Sequence, residues 1–181
     1  MNSFDTPPKP EDFAHWRGLV GKPLTSENPL EKDTLRRFVQ AIMDSNKRYV
    51  DETLASNSRY KGLVAPPLYP VHAFRPKTTA PDPLRLIQDD PNADGAGQND
   101  SVFFGLPPMI SPFKRLLNGG NEIEFLRCLA VGERCVANAC YKDVILKEGK
   151  SGYLLLVVIE TTFSTEAREQ LLINRQTLIW R

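Results

Sequence analysis

The chain has 181 residues, 41% of them hydrophobic and 25% charged, and its 23 basic side chains against 22 acidic ones leave a formal net charge of +1. That length can bury a sizeable core in one domain. The even charge argues against a nucleic-acid partner, which calls for a basic excess gathered on one face. The N-terminus lacks a basic leader followed by an apolar stretch, and the longest apolar run, Tyr153 to Ile159, is too short to span a bilayer. The expectation is a cytoplasmic chain with no membrane partner.

Residues 1–12 are Pro-rich and polar and read as an N-terminal arm, with one domain over 13–181. A helix is expected from Asp33 to Met43, because Leu35, Phe38, Val39, Ile42 and Met43 recur at i, i+3, i+4, i+7 and i+8. A second short helix is expected from Val50 to Ser56. Residues 75–111 then form a long stretch rich in Pro, Asp, Asn and Gly, which reads as an irregular insertion.

The C-terminal half changes character. Asn121 to Leu129, Cys135 to Leu146, Gly152 to Phe163 and Ile173 to Trp180 read as strands rich in Val, Ile, Leu and Phe, separated by turns at Gly132 and Gly149. A helix followed by antiparallel hairpins gives an α+β fold class. Asn118-Gly119-Gly120-Asn121 precedes an expected strand and not a helix, so it is no phosphate loop and suggests a bulge or a close backbone approach. Cys128, Cys135 and Cys140 are odd in number, lack a C-x-x-C spacing and have no histidine nearby. They are read as small strand residues, with neither a disulfide nor a metal site expected.

The segment richest in chemistry is Asp44-Ser45-Asn46-Lys47-Arg48-Tyr49-Val50-Asp51, followed by Gly62-Leu63-Val64-Ala65-Pro66-Pro67. It resembles the active-site segment of MaoC-type (R)-specific enoyl-CoA hydratases, in which G-D-x-N-P-x-H-x-D is followed by A-H-G-M. Residues 118–129, the Gly132-Glu133 turn and Arg175-Gln176-Thr177-Leu178-Ile179 resemble the same superfamily. The long insertion points to its FAS1-like dehydratase branch. The resemblance implies a single hot-dog fold, an antiparallel sheet wrapped around a helix.

It also implies addition of water to an enoyl thioester, with a base taking the proton of water and an N–H holding the thioester oxygen. No cofactor is implied beyond the CoA that the substrate carries. Two departures count against that chemistry here. Tyr49 stands at the histidine position, and a phenol titrating near 10 shuttles protons poorly at neutral pH. Pro67 stands at the glycine position and has no N–H to offer. An acid–base group is worth about 10²- to 10⁴-fold and an oxyanion donor about 10²- to 10³-fold.

The expectation is therefore a degenerate unit, which shapes the pocket of a heteromeric enoyl-CoA hydratase or acyl-thioester dehydratase and pairs with a catalytic MaoC-like subunit. A homodimer through hot-dog pairing is the other assembly. Asp44 and Tyr49 are the residues at the family's catalytic positions. Asn46, Asp51, Pro67, His72, Gly119 and Gly120 are candidates for contact with the acyl-CoA, and Arg59, Lys61, Lys114 and Arg115 for its phosphates. Alternative readings are an acyl-CoA thioesterase using Asp44 or Glu52, and an acyl-CoA-binding assembly module without turnover. Asp44 and Asn46 also suit plain turn formation after a helix.

Overall fold

The computed structural model describes residues 7–74, 85, 88, 103–109, 111–113, 115–149 and 152–181. Most of the insertion expected at 75–111 lies outside these residues, as do residues 1–6 and Lys114. Pro10–Trp16 forms a 3-10 helix that opens with Lys9 N–H donating to Asp12 Oδ2 and buries Phe13. A two-residue strand, β1 (Leu24–Thr25), follows.

Helix α1 (Lys32–Ala41) carries the expected apolar face, with Leu35 and Val39 buried and Phe38 packed beside them. It stops two residues before the expected Met43, and the cause is local. Met43 takes a left-handed φ of 54°, its N–H donates to Gln40 O at 3.1 Å, and Asp44 N–H reaches back to Val39 O at 3.1 Å. This pair of crossed bonds is the Schellman ending of a helix. Ile42 and Met43 consequently leave the stripe and stand exposed, at 45% and 89%. Helices α2 (Glu52–Ser56) and α3 (Tyr69–His72) are one turn or little more, and Pro70 sits in the first turn of α3.

Four long strands complete the fold: β2 (Leu116–Phe125), β3 (Cys135–Gly149), β4 (Gly152–Thr165) and β5 (Gln170–Trp180). With β1 they form one antiparallel sheet in the order β1-β3-β4-β5-β2. Alternate residues of β4, from Leu155 to Thr165, are buried, the period of two that puts one face on the core. Phe163 lies at the centre, with Phe104 and Phe74 packed on it at ring separations of 5.0 and 6.0 Å.

Two sequence readings need correction here. Strand β2 begins at Leu116 and ends at Phe125, so Leu126 to Leu129 leave the sheet where a strand was expected. Gly119 and Gly120 lie inside β2 and do not precede it. Asn118 pairs with Leu178 and Gly120 with Thr177, which leaves Gly119 as the extra residue of a bulge. Gly120 adopts φ 120°, and its N–H donates to Asn118 Oδ1 at 3.1 Å. The cysteines also divide. Cys135 is fully buried in β3, and burial pushes its thiol up to about 12, whereas Cys128 lies beyond the end of β2 and is half-buried.

The two edges of the sheet differ. One is closed off by a strand of two residues, while β2 leaves ten residues along the other. Eight of those ten residues are exposed, including Leu117 and Phe125.

Candidate functional site

The Schellman turn at the end of α1 delivers the chain directly into the motif segment, where each acidic or amide side chain folds its own stretch of backbone. Asp44 Oδ1 accepts from Asn46 N–H at 2.9 Å, and Asn46 Oδ1 accepts from Arg48 N–H at 3.2 Å. The second bond opens a 3-10 turn, Lys47–Tyr49. Asp51 then caps α2, its Oδ1 accepting from Leu54 N–H at 3.0 Å. These are turn and cap roles. Residues 41–48 are exposed throughout, so Asp44 faces solvent in the single chain.

Tyr49 is the member of the segment that turns inward, half-buried against the core. Burial raises its phenol pKa above the ordinary value, and the neighbouring Cys128, Asp44 and Tyr60 add to the rise. The shift takes the hydroxyl further from proton exchange at neutral pH.

A second strand-like contact fixes the other half of the site. Val64 bridges Ala130, and Ala65 N–H donates to Leu129 O at 2.8 Å. This places Pro66 and Pro67 beside the segment that leaves β2. Tyr69 N–H closes back on Pro66 O at 2.9 Å and starts α3. Pro67, Tyr60, Cys128, Phe125 and Leu126, with Arg59 and Arg127, line a cavity of about 370 Å³. A neighbouring hollow of about 470 Å³ shares Arg59 and Tyr60 and adds Arg48, Leu54, Asn57 and Ser58.

The walls of these spaces are held by specific bonds. Arg59 lies over the Tyr60 ring, 4.7 Å from its centroid, and donates to the Tyr60 hydroxyl. Cys128 Sγ meets the same oxygen at 3.7 Å. Arg127 pairs with Glu133 and, at 3.2 Å, with Glu169. Burial acts to raise the Glu133 carboxyl, but the bonds from Arg127 and from Ala130 N–H outweigh it and hold the pKa below the ordinary value.

Of the remaining candidates among the described residues, only Arg59 lines the two spaces. His72 is the last residue of α3, exposed, with its ring 5.4 Å from that of Phe38. Gly119 and Gly120 form the β2 bulge described above. Among the proposed phosphate contacts, Arg59 lines both spaces, Lys61 occupies a left-handed turn at φ 59°, and Arg115 pairs through its backbone with Arg181. Glu52, the alternative base, is engaged by Lys32 Nζ at 2.7 Å. No sequence signal singles out Tyr60, Phe125 and Leu126 as wall residues, because the Val64–Ala130 bridge that assembles them joins segments far apart in the chain.

Among the described residues, no three His, Cys, Asp or Glu side chains come together as a metal would require, and no helix is long and apolar enough to cross a membrane.

Residues 19–173 match the family described as FAS1-like, dehydratase domain region. The chain belongs to that family. A relative, a UPF0336 protein of Thermobifida fusca (strain YX), is 22% identical over 91% of this chain and 93% of its own. Among solved structures, the ChsH1-ChsH2 complex of Mycobacterium tuberculosis matches with a TM-score of 0.63 at 20% identity, over 89% of this chain and 88% of that one. The HadBC complex of the same organism, a (3R)-hydroxyacyl-ACP dehydratase, matches with a TM-score of 0.56 at 15% identity, over 91% and 96%. At these identities the likeness is one of fold, and the five-stranded sheet with its short helices is the hot-dog fold of this MaoC-like group.

Proposed function

We propose that this chain is the non-catalytic, pocket-shaping subunit of a heteromeric enoyl-CoA hydratase or acyl-thioester dehydratase. The observation that carries the proposal is the cavity beside β2: its wall has Pro67 at the position where the family resemblance calls for an oxyanion donor, and it opens next to β2, which has no further strand beside it among the described residues. A proline offers no N–H to a developing enolate, whatever its geometry. The phenol of Tyr49, raised by burial, is no substitute for an imidazole.

The edge supports the second half of the reading. A ten-residue strand that pairs on one side only among the described residues is a template for another strand. Leu117, Phe125 and Leu126 stand 43%, 52% and 47% exposed along or just beyond it. Pairing with another hot-dog unit would cover them and close the Pro67 cavity. Two of the structures that share this fold are complexes of unlike subunits, which fits a catalytic MaoC-like chain as the partner. The carrier of the thioester is CoA in this proposal, with an acyl carrier protein as the related choice suggested by the ACP dehydratase neighbour.

The deciding experiment measures hydration of a panel of trans-2-enoyl-CoA substrates by this chain alone and mixed with a catalytic MaoC-type partner. Activity only in the mixture is expected. Full activity of the chain alone overturns the proposal.

A further inference from the structure

The register of the sheet puts a band of polar side chains on the face that packs against the core. Thr161 of β4 opposes Asn174 of β5, and Asn174 opposes Ile123 of β2. Directly opposed residues of antiparallel strands point the same way, and residues two apart in a strand share a face. All three therefore lie on the side where Phe163 and Leu172 build the core. In the next row Gln176 and Asn121 oppose each other on that same face.

Asn174 stands apart in this band. It is only 6% exposed, yet its Oδ1 has no hydrogen-bond partner among the described residues. No other buried side-chain nitrogen or oxygen among those residues is left in that state. A buried carbonyl without a donor costs stability, and folded chains satisfy nearly all such groups.

Position narrows what supplies the donor. Asn174 lies on an inner strand, with β2 between it and the sheet edge, so a strand added at that edge meets β2 and not this side chain. The core-facing side of β2 is accessible instead: Phe125 is 52% exposed, Ile123 half-buried and Asn121 exposed. Phe125 is a wall of the Pro67 cavity and opposes Leu172, two residues or about 7 Å along β5 from Asn174. A chain-like ligand seated in that cavity needs to extend one further row of the sheet to reach Asn174.

We infer that Asn174 Oδ1 accepts a hydrogen bond from a hydroxyl on the acyl group, placed beyond the β carbon, so that this subunit selects hydroxylated acyl chains over plain ones. The inference rests on the acyl-thioester reading above and names the substrate class that it leaves open. A charged ammonium donor carries a heavy desolvation cost at so buried a site, which favours a neutral hydroxyl. An amide oxygen only accepts, so a keto group at the same carbon has nothing to give it.

Calorimetry on the full chain, alone and in complex with the hydratase partner, compares three kinds of probe. They are a medium-chain acyl-CoA, its monohydroxy isomers with the hydroxyl beyond the β carbon, and the matching keto compounds. One hydroxyl position is expected to bind about tenfold more tightly than the plain chain, the scale of one hydrogen bond to a buried acceptor otherwise left empty. The keto compound is expected to show no such gain. Asn174→Leu keeps the branched shape without the carbonyl, so it should erase the hydroxyl gain and leave the plain chain bound as before. Because it removes a buried oxygen that has no donor, it should also hold or raise the unfolding midpoint of the ligand-free chain. Asn174→Val, smaller and suited to a strand, gives the same readings if leucine crowds the core.

The inference is overturned if no hydroxyl isomer is preferred over the plain chain, or if the preference survives both substitutions. A fall in the unfolding midpoint with both variants overturns it too, since the carbonyl would then be bonded within the fold or to a buried water. Hydroxyl-selective binding without hydration in any mixture would refute the hydratase reading alone. Hydration of plain and hydroxylated enoyl-CoA substrates with equal kcat/KM would refute this inference alone.

Discussion

Arg127 holds Glu133 through two parallel hydrogen bonds, Nη1 to Oε2 at 2.8 Å and Nη2 to Oε1 at 2.6 Å. Oε2 also accepts Ala130 N–H at 2.7 Å, so one carboxylate closes the turn that leads from the end of β2 into β3. The same turn carries the bridge from Ala130 to Val64 that brings Pro67 to the cavity.

This carboxylate makes folding stability depend on pH. Its folded pKa lies below the ordinary 4.5, so its contribution is fully present above about pH 4.5 and is lost as pH falls through the lowered folded value. Urea unfolding from about pH 6 down to about pH 3 should show that loss. Glu133→Gln should flatten part of the slope and destabilise the chain by about 1–2 kcal/mol at neutral pH, a modest figure because the pair is partly exposed.

At the outer edge of β2, Phe125→Asp should weaken pairing with a hydratase subunit while leaving the isolated chain folded, because Phe125 is 52% exposed there. An aromatic anchor at an interface is worth about 2 kcal/mol or more, about thirtyfold in Kd. Light scattering of the mixture after gel filtration reads the outcome. A complex of unchanged affinity would place the interface elsewhere.

If the chain shapes a pocket and performs no chemistry, Asp44→Asn and Tyr49→Phe should leave kcat of the reconstituted mixture within about twofold. A loss of about 10²-fold from either would mark that residue as an acid or base. In Asp44→Asn the amide oxygen could still accept from Asn46 N–H, so this test does not confound chemistry with the turn.

The bulge in β2 gives a fourth expectation. Gly120 has φ 120°, a conformation that a Cβ disfavours, and Gly120→Ala should cost about 1–3 kcal/mol. At Gly119 an added Cβ would lie 3.0 Å from Thr177 O and 3.1 Å from carbons of Ile179, so Gly119→Ala should also destabilise. Denaturant midpoints at unchanged m-value measure both.

What the sequence makes legible follows the range of the forces involved. The face of α1 and the alternation of β4 are local periodicities, and both can be read directly. The end of α1 falls two residues short of its periodicity, because Ile42 and Met43 keep the apolar period while the backbone has already turned left-handed at Met43. Leu126 to Leu129 keep a strand-like composition, yet they leave the sheet because Leu126 and Arg127 both donate to Leu171 O and Leu129 O turns to Ala65. The cavity depends on the Val64–Ala130 bridge, and no local pattern announces a pairing between such distant residues.

The three bonds from Asp44, Asn46 and Asp51 to their own backbone bear on how such chains are recognised. A side chain that folds its own loop remains useful after the proton chemistry around it has gone. In this chain the letters D, N and D therefore identify a loop shape before they identify a reaction. Under the proposed function, the positions to probe for turnover are 49 and 67, where this chain carries a phenol and a proline nitrogen without a hydrogen.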